Sequence, residues 1–481
     1  MNTAPDEILV VSPDWELKRN GTRAVLLNRD PKTLSYIILN PFQTLTASLF
    51  NGDRSVSDVA GVLIFLLDLS RPEAEALVQD TVAWTNRDKT LRLLPRREAG
   101  DRPIPAYSPQ EFLGRPTPLE HPNRLEVPLT LNITLTHRCQ TQCRYCYAER
   151  RGVAPADELS VAAWSDLIDQ AAGLGISRVG LLGGDPMARP DALEVFRHLV
   201  ERGMWFFVST KCHIDRETAH RLAAMGLGER NVQFSMDAPT PDMADALVGS
   251  PGFYKRALES LENLLANGIP VRAKAVLTPS NARSAPALVR TWYGLGIREM
   301  QLIDYGRSHY HHSDDLFMDP ADSAWVADQV AELRRELPGL DIVYGAQARD
   351  AKKDGLESPT ESQRWETWAR RARCSGGASS MSVAPDGLVF LCEQIPQIPE
   401  HFVGDLRRQT LMDVWNSDRL FAYIYPDREQ LIGSACRDCD RFDDCHRASG
   451  HCFRDALFAY GSRYMPSPRC PKAPAGAPRI Y

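Results

Sequence analysis

The stretch THRCQTQCRYCY, residues 136–147, places Cys139, Cys143 and Cys146 in a C-x3-C-x2-C pattern. Thiolates are soft ligands that suit zinc and iron–sulfur clusters. A structural zinc site or a fully ligated cluster takes four protein ligands, whereas this motif supplies three. A cluster held by three cysteines keeps one iron open to a small molecule, as a catalytic zinc keeps an open position. We therefore expect a catalytic metal centre here, with a structural zinc knuckle as the alternative.

The composition of the chain is typical of a globular protein that binds neither nucleic acid nor membrane. Its 481 residues are 43% hydrophobic and 25% charged, with a formal net charge of −6. No apolar run approaches the ~20 residues of a membrane span, and the first residues lack the features of a secretory signal. We expect a cytoplasmic protein without nucleic-acid or membrane partners. In that reducing compartment, eleven cysteines indicate metal binding rather than disulfides.

Residues 1–95 are expected to form a small α+β domain. Three short strand-like runs come first, and Asn20-Gly21 between the first two is a strong hairpin signal. Three helix starts follow between residues 40 and 88. Residues 96–125 are rich in proline and lack helical periodicity, so we expect an extended linker.

Residues 126–345 alternate six strand-like segments with helix-like segments. Repeated β-α units imply a parallel sheet with right-handed crossovers, curled into a full or partial barrel. Chemistry in such folds lies at the carboxyl ends of the strands. The three-cysteine stretch directly follows the first strand, so we expect it at that mouth. A charged bridging segment, residues 346–373, and a cysteine-rich tail, residues 374–481, complete the chain.

The C-x3-C-x2-C pattern, with the aromatic Tyr145 before its last cysteine, resembles the signature of the radical S-adenosylmethionine (SAM) superfamily. The resemblance implies an α/β fold, a partial (β/α)6 radical SAM barrel. It also implies one SAM-binding [4Fe-4S] cluster on Cys139, Cys143 and Cys146, whose open iron chelates the amino and carboxylate groups of SAM. Reductive cleavage of SAM would then give a 5′-deoxyadenosyl radical that abstracts hydrogen.

The resemblance further implies contacts with SAM at successive strand ends. The family carries Gly-Gly-Glu to receive the SAM amino group, and this chain has Gly-Gly-Asp-Pro at residues 183–186. Ser-Met-Asp at residues 235–237 resembles the ribose and carboxylate contacts, and the aromatic residue 145 would lie against adenine. The family's arginine after the fourth strand is absent, so Arg272 or Lys274 is expected in its place. The implied cofactor-binding residues are Tyr145, Gly183, Gly184, Asp185, Ser235, Asp237 and Lys274.

The cysteine spacing of the tail resembles the SPASM extension, which holds auxiliary iron–sulfur clusters in radical SAM enzymes that mature peptides. Six residues rather than the usual three separate Cys445 from Cys452, which leaves His446 and His451 as further candidates. A zinc-ribbon-like staple is the alternative. The resemblance implies two auxiliary clusters, one on Cys436, Cys439, Cys445 and Cys470, and the other on Cys374, Cys392 and Cys452 without an evident fourth cysteine. Cys212 has no partner motif, and we expect a free thiol there.

The pattern of strands and helices in residues 1–95 resembles the peptide-chaperone domain of pyrroloquinoline-quinone biosynthesis. Such a domain is winged-helix-like and is called a RiPP recognition element, where RiPP denotes a ribosomally made and modified peptide. The resemblance implies that it binds the leader of a precursor peptide as an added strand. The alternative is a purely structural appendage.

These resemblances together imply a radical SAM/SPASM peptide maturase. Its partners would be a ribosomal precursor peptide, bound through its leader, and a reducing partner such as flavodoxin or ferredoxin. Glu393 follows Cys392 where related sulfatase-maturing enzymes carry an aspartate base, so Glu393 is the candidate catalytic base, with a surface glutamate as the alternative. A loop that carries His309, His311 and His312 is expected to contact substrate, with a metal site as the alternative.

The bond formed by such an enzyme is expected to be a side-chain crosslink (C–C, C–O or C–S). Epimerisation or dehydrogenation of a peptide residue is the next alternative. A non-catalytic iron–sulfur or zinc scaffold that binds peptides is the alternative of a different class.

Overall fold

The chain forms two compact units, Met1–Val127 and Pro128–Tyr481. The structure is a computed structural model, and it describes residues 3–30, 35–88, 90–113, 121, 123–148, 152–228, 231–345, 360–371 and 373–480. Within those ranges, no helix has the length and apolar character that crossing a membrane requires.

The described residues of the first unit form two antiparallel three-stranded sheets and three α-helices. The sheets have the strand orders β5-β1-β6 and β2-β3-β4. Its strands are β1 Ile8–Val11, β2 Trp15–Asn20, β3 Arg23–Asn28, β4 Tyr36–Leu39, β5 Asn51–Ser55 and β6 Leu93–Pro95, and its helices are α1 Pro41–Ser48, α2 Val56–Leu67 and α3 Arg71–Thr85.

Local signals placed the central elements of this unit. The hairpin turns at Asn20-Gly21, where Asn20 pairs with Arg23 and Gly21 takes the positive φ of +64° that favours glycine. Ser55 and Asp58 form a capping box at the start of α2, with reciprocal hydrogen bonds of 2.9 and 3.1 Å. The expectation of three strands was incomplete, because β1, β5 and β6 are short and are defined by distant pairing rather than by their own periodicity.

Residues after β6 pack onto the first unit. Phe112 lies in its hydrophobic core, and Tyr107 Oη accepts a hydrogen bond of 2.9 Å from the backbone N–H of Leu17. Most of the stretch expected as a linker therefore contributes to this compact unit, which runs to Val127.

The second unit is built on seven consecutive parallel strands, in the order of the sequence, with helices between them. This arrangement confirms the expected partial barrel and adds a seventh strand. The strands are β7 Thr130–Thr136, β8 Arg178–Gly183, β9 Trp205–Thr210, β10 Val232–Ser235, β11 Val271–Leu277, β12 Glu299–Asp304 and β13 Asp341–Gly345. The helices are α4 Val161–Gly173, α5 Ala192–Glu201, α6 Arg216–Ala224, α7 Pro241–Val248, α8 Phe253–Ala266, α9 Ala285–Gly294 and α10 Pro320–Glu336.

The cysteine-rich tail extends the same sheet. Its first strand, β14, pairs in parallel with β7, and two short antiparallel strands follow, so the sheet has ten strands. The tail elements and the helix before them are α11 Glu361–Ala369, β14 Ser380–Val383, β15 Leu388–Phe390, β16 Gly404–Asp405, α12 Leu411–Trp415, α13 Asp418–Ile424, a π-helix Asp443–Ser449, and α14 Phe453–Tyr460. Pairing of β14 beside the first barrel strand brings the tail to the strand that carries the three-cysteine loop.

Candidate functional site

The three-cysteine loop follows the carboxyl end of β7. Thr141 Oγ1 lies between two of its thiols, 3.3 Å from Cys139 Sγ and 3.4 Å from Cys143 Sγ. The backbone N–H of Cys146 donates to the carbonyl of Cys143 at 3.2 Å, and that of Gln142 donates to Val248 at the end of α7 at 2.7 Å. The loop is therefore shaped by its own hydrogen bonds and anchored to a neighbouring helix.

The donor set of this loop suits a cluster better than a single ion. All three cysteines are free thiols. Three soft thiolates, with one position of the metal centre left to a small molecule, suit an iron–sulfur cluster. Burial raises the pKa of the Cys143 thiol to about 11, with nearby Lys211 opposing the rise, so binding of iron there must displace a proton.

The Gly183-Gly184 pair lets the end of β8 approach the cysteine loop. Gly184 N–H donates to the carbonyl of Thr136 at 3.0 Å. A Cβ atom on Gly184 would lie 2.2 Å from the carbonyl oxygen of Arg138 and 2.5 Å from that of His137. Any residue other than glycine would therefore clash with the backbone of the loop. The glycines expected to approach SAM thus also hold the loop against the sheet.

Asp185 is buried and fully hydrogen-bonded. Its carboxylate accepts hydrogen bonds from Thr210 Oγ1 at 2.8 Å and from the backbone N–H groups of Met187, Lys211 and Cys212 at 3.0, 2.7 and 3.1 Å. Burial raises its pKa, and these donors oppose the rise. Asp185 therefore ties the end of β8 to the end of β9, a role that the sequence did not indicate, while its expected contact with the SAM amino group stays a prediction.

Tyr145, Lys211 and Asp237 form one group at the mouth, in which Tyr145 and Asp237 are buried and the Lys211 side chain is 13% exposed. Tyr145 Oη donates to the Asp237 carboxylate, and Lys211 Nζ lies 3.0 Å from the same oxygen. The backbone N–H of Val276 donates to the other oxygen at 2.9 Å. Burial and the Asp237 charge raise the pKa of Tyr145. Sequence reasoning named Tyr145 and Asp237 separately and missed Lys211, whose only signal was its place directly after a strand.

A second group at the mouth joins the barrel to the tail. Tyr147 Oη donates to Glu393 Oε2 at 3.2 Å. Burial raises the pKa of Glu393, while Tyr147 and Lys274 oppose the rise. Lys274 pairs with Ser235 across the strands near the carboxyl end of β10. Arg272 and Lys274 were the two candidates to replace the family's arginine. Arg272 forms an ion pair of 3.6 Å with Glu299, whereas Lys274 lies near Glu393.

The seven cysteines of the tail that were expected to bind iron fall into two groups. The free thiols of Cys374 and Cys452 lie near Cys392. The pKa of Cys392 is raised to about 12, mainly because the thiol is buried and to a smaller extent because of these two neighbours. His446 and His451 are buried and line the same cavity as the other group, with ring centroids 4.5 Å apart and ring planes tilted by 55°. That other group lines one cavity and consists of Cys436, Cys439, Cys445 and Cys470.

Comparison with known proteins assigns these two regions. The model of the radical SAM superfamily matches residues 133–281, and that of the SPASM iron–sulfur cluster-binding domain matches residues 374–440. The chain contains a radical SAM domain and a SPASM domain. The domain families account for SAM and iron–sulfur clusters as cofactors of a radical SAM enzyme.

Similar proteins span most of this radical SAM/SPASM chain. The PqqA peptide cyclase of Ruegeria pomeroyi is 27% identical over 352 residues, which cover 72% of this chain and 88% of the relative. The PqqA peptide cyclase of Methylocella silvestris is 27% identical over 330 residues, covering 66% and 82%. Among solved structures, Streptococcus suis SuiB bound to SAM has a TM-score of 0.64 at 18% identity and covers 96% of this chain and 99% of SuiB. The last similarity concerns the fold.

The remaining candidates of this radical SAM/SPASM chain have structural partners. His312 contacts Tyr305 Oη through Nδ1 and Asp314 through Nε2, both at 2.9 Å, so it orders its own loop. Asp304, the last residue of β12, is a further carboxylate at a strand end, and it accepts hydrogen bonds from Ser323 at 2.7 Å and Tyr344 at 2.6 Å. Cys212 is a buried free thiol, and burial raises its pKa, which is consistent with an inert residue.

Proposed function

We propose that this radical SAM/SPASM enzyme modifies a ribosomal precursor peptide and installs a side-chain crosslink of the C–C, C–O or C–S type. The observation that carries the proposal is the similarity to PqqA peptide cyclases over 88% of the length of the relative from Ruegeria pomeroyi. SuiB, whose fold this chain shares, has been solved with its precursor peptide SuiA. A peptide substrate is therefore common to the PqqA peptide cyclases and SuiB.

The residues of the mouth have separable tasks in this proposal. When bound, SAM and its three-cysteine cluster supply hydrogen abstraction from an unactivated C–H bond. In the Tyr145–Asp237–Lys211 group, the buried Asp237 carboxylate is paired with the Lys211 ammonium beside the cysteine loop. The group thus presents a fixed polar surface to the cofactor. Glu393 belongs to the tail and accepts a hydrogen bond from Tyr147. It is the candidate base that accepts the substrate proton as the new bond forms, while the second electron of this oxidation would pass to an auxiliary cluster held by the tail.

The N-terminal unit is the proposed leader-binding element. In the described ranges, β4 is the outer strand of its sheet, and no strand pairs with its far edge. At the other edge, Tyr107 already occupies the Leu17 N–H. Trp84 of α3 donates to the Ile38 carbonyl on β4 at 3.1 Å and is 42% exposed. An extended leader peptide would add along β4 and exchange this single side-chain bond for a ladder of backbone bonds.

The cellular setting follows from the chemistry. Reductive cleavage of SAM consumes an electron, and we propose a flavodoxin or ferredoxin as its source. Cysteines stay reduced and able to bind iron in the cytoplasm, so we place the enzyme there, acting without nucleic acid or membrane.

Anaerobic reconstitution followed by reduction with SAM tests the enzyme class, because a non-catalytic scaffold makes no 5′-deoxyadenosine. The matched control is the chain with Cys139, Cys143 and Cys146 replaced by alanine. Coexpression with short open reading frames next to the gene, followed by tandem mass spectrometry, tests the bond. A crosslink removes two hydrogen atoms and suppresses fragmentation between the joined residues. Dehydrogenation removes two hydrogens with normal fragmentation, and epimerisation leaves the mass unchanged.

A further inference from the structure

The four-cysteine cavity of the tail includes a buried N–H donor that reaches one of its sulfurs. Trp368 Nε1 lies 3.3 Å from Cys445 Sγ, and the Trp368 side chain is only 6% exposed. Trp368 belongs to α11, in the segment between barrel and tail to which the cysteine pattern assigns nothing. Cys445 lies on the π-helix, a rare conformation that is frequent at functional sites.

The position of the indole is fixed by Arg371. Its guanidinium lies 4.0 Å from the centre of the Trp368 ring and donates to the Trp368 carbonyl at 2.7 Å. The same guanidinium donates to the carbonyl of Gly450 at 2.8 Å, just past the π-helix. One side chain thus clamps α11 to the segment that carries Cys445. The N–H of Trp368 is held on the sulfur rather than turned toward solvent.

We propose that Trp368 is a positioning residue that raises the reduction potential of the auxiliary cluster held by Cys436, Cys439, Cys445 and Cys470. A hydrogen bond to a ligand sulfur stabilises the more negative, reduced cluster more than the oxidised one. The bond is buried, so water does not replace it when it is removed. The step concerned is uptake of one electron from the reductant, with no bond broken and no proton transferred.

The cavity contains a matched control. Trp365 lines the same cavity, one helical turn before Trp368, and its ring packs under Arg441 at 4.8 Å. Replacement of either tryptophan by phenylalanine reduces the volume of a side chain that lines the cavity by the same amount. Only Trp368→Phe also removes an N–H that contacts Cys445.

The test is a potentiometric titration of the reconstituted full-length protein with dithionite, followed by electron paramagnetic resonance, with no peptide present. We expect Trp368→Phe to keep the iron and sulfide content of the parent. The reduction potential of one cluster should fall. At a fixed potential its reduced-to-oxidised ratio should be tenfold lower than in the parent, which corresponds to a shift of about 59 mV for one electron. Trp365→Phe should titrate as the parent does. This inference rests on the auxiliary cluster alone, so its result is independent of whether the peptide proposal is right.

Two results overturn the proposal: unchanged potentials in Trp368→Phe at full iron content, or an equal shift in Trp365→Phe. If Trp368→Phe loses iron, benzothienylalanine at position 368 replaces only the indole N–H by sulfur and keeps the shape of the ring. A lowered potential at full iron content then supports the proposal. An unchanged potential, or renewed loss of iron, assigns Trp368 to packing or cluster assembly instead.

Discussion

Replacement of Glu393 by glutamine should separate SAM cleavage from peptide modification. Glutamine has the shape of glutamate but cannot accept a proton, and its amide oxygen can still accept the 3.2 Å hydrogen bond from Tyr147. The local structure around Cys392 should therefore survive. We expect the Glu393→Gln protein to load all clusters and to make 5′-deoxyadenosine, while the yield of modified peptide collapses.

The size of the effect follows from the role of the carboxylate. A positioned general base contributes roughly 10²–10⁴-fold to a rate, which corresponds to about 3–5 kcal/mol of activation free energy. Tyr147→Phe is the matched comparison, because it removes the donor that orients Glu393 and leaves the carboxylate. A hydrogen bond to a charged group contributes about 1.5–3 kcal/mol, and the partial exposure of Tyr147 favours the lower end, so we expect roughly a tenfold loss.

The assay counts 5′-deoxyadenosine and modified peptide in the same reaction and measures iron in the same sample. If Glu393 is a base, its replacement should raise the ratio of 5′-deoxyadenosine to modified peptide at constant iron content. If Glu393 is a structural residue, its replacement should lower the iron content as well. If Glu393→Gln couples SAM cleavage to product as tightly as the parent, the base lies elsewhere. Asp304 or Tyr305, at the end of β12, would be examined next.

Three further predictions concern the cysteine loop, the N-terminal unit and the buried ion pair. Joint replacement of Cys139, Cys143 and Cys146 by alanine should abolish 5′-deoxyadenosine formation and keep roughly two-thirds of the iron, since the tail clusters have their own ligands; unchanged SAM cleavage would contradict this. Removal of residues 1–127, the compact unit, should spare SAM cleavage but weaken leader binding, measured by fluorescence anisotropy, and equal binding by the truncated chain would exclude a recognition element. Asp237→Asn should lower the free energy of unfolding, measured by chemical denaturation, by about 3–5 kcal/mol, because it leaves the largely buried Lys211 charge without its partner. Asp315→Asn, which breaks the exposed ion pair with Arg144, should lower it by less than about 1 kcal/mol. Equal losses in the two variants would refute the burial argument.

Several parts of the site could be predicted from short stretches of sequence. The three cysteines, the glycine pair and the Ser-Met-Asp stretch each follow a strand, and parallel strands place their carboxyl ends on one edge. The family resemblance implied two sets among the tail cysteines. In the structure, Cys436, Cys439, Cys445 and Cys470 line one cavity and Cys374 and Cys452 lie near Cys392, while the clusters that they would hold stay a prediction. Asp185 shows the limit of this reasoning, because a motif names a residue type but does not show that its carboxylate already accepts hydrogen bonds from four donors.

The sequence by itself determined the local elements: the hairpin at Asn20-Gly21, the capped helices, the alternation of strands and helices, and the cysteine loop at a strand end. Each depends on interactions within a few residues, where periodicity and capping are visible. Only the tertiary structure decided which distant groups meet. Tyr147 and Glu393 are 246 residues apart in the chain, and Trp368 and Cys445 are 77 apart. Such contacts depend on how distant elements pack, such as β14 pairing beside β7, and no short window of sequence encodes that packing.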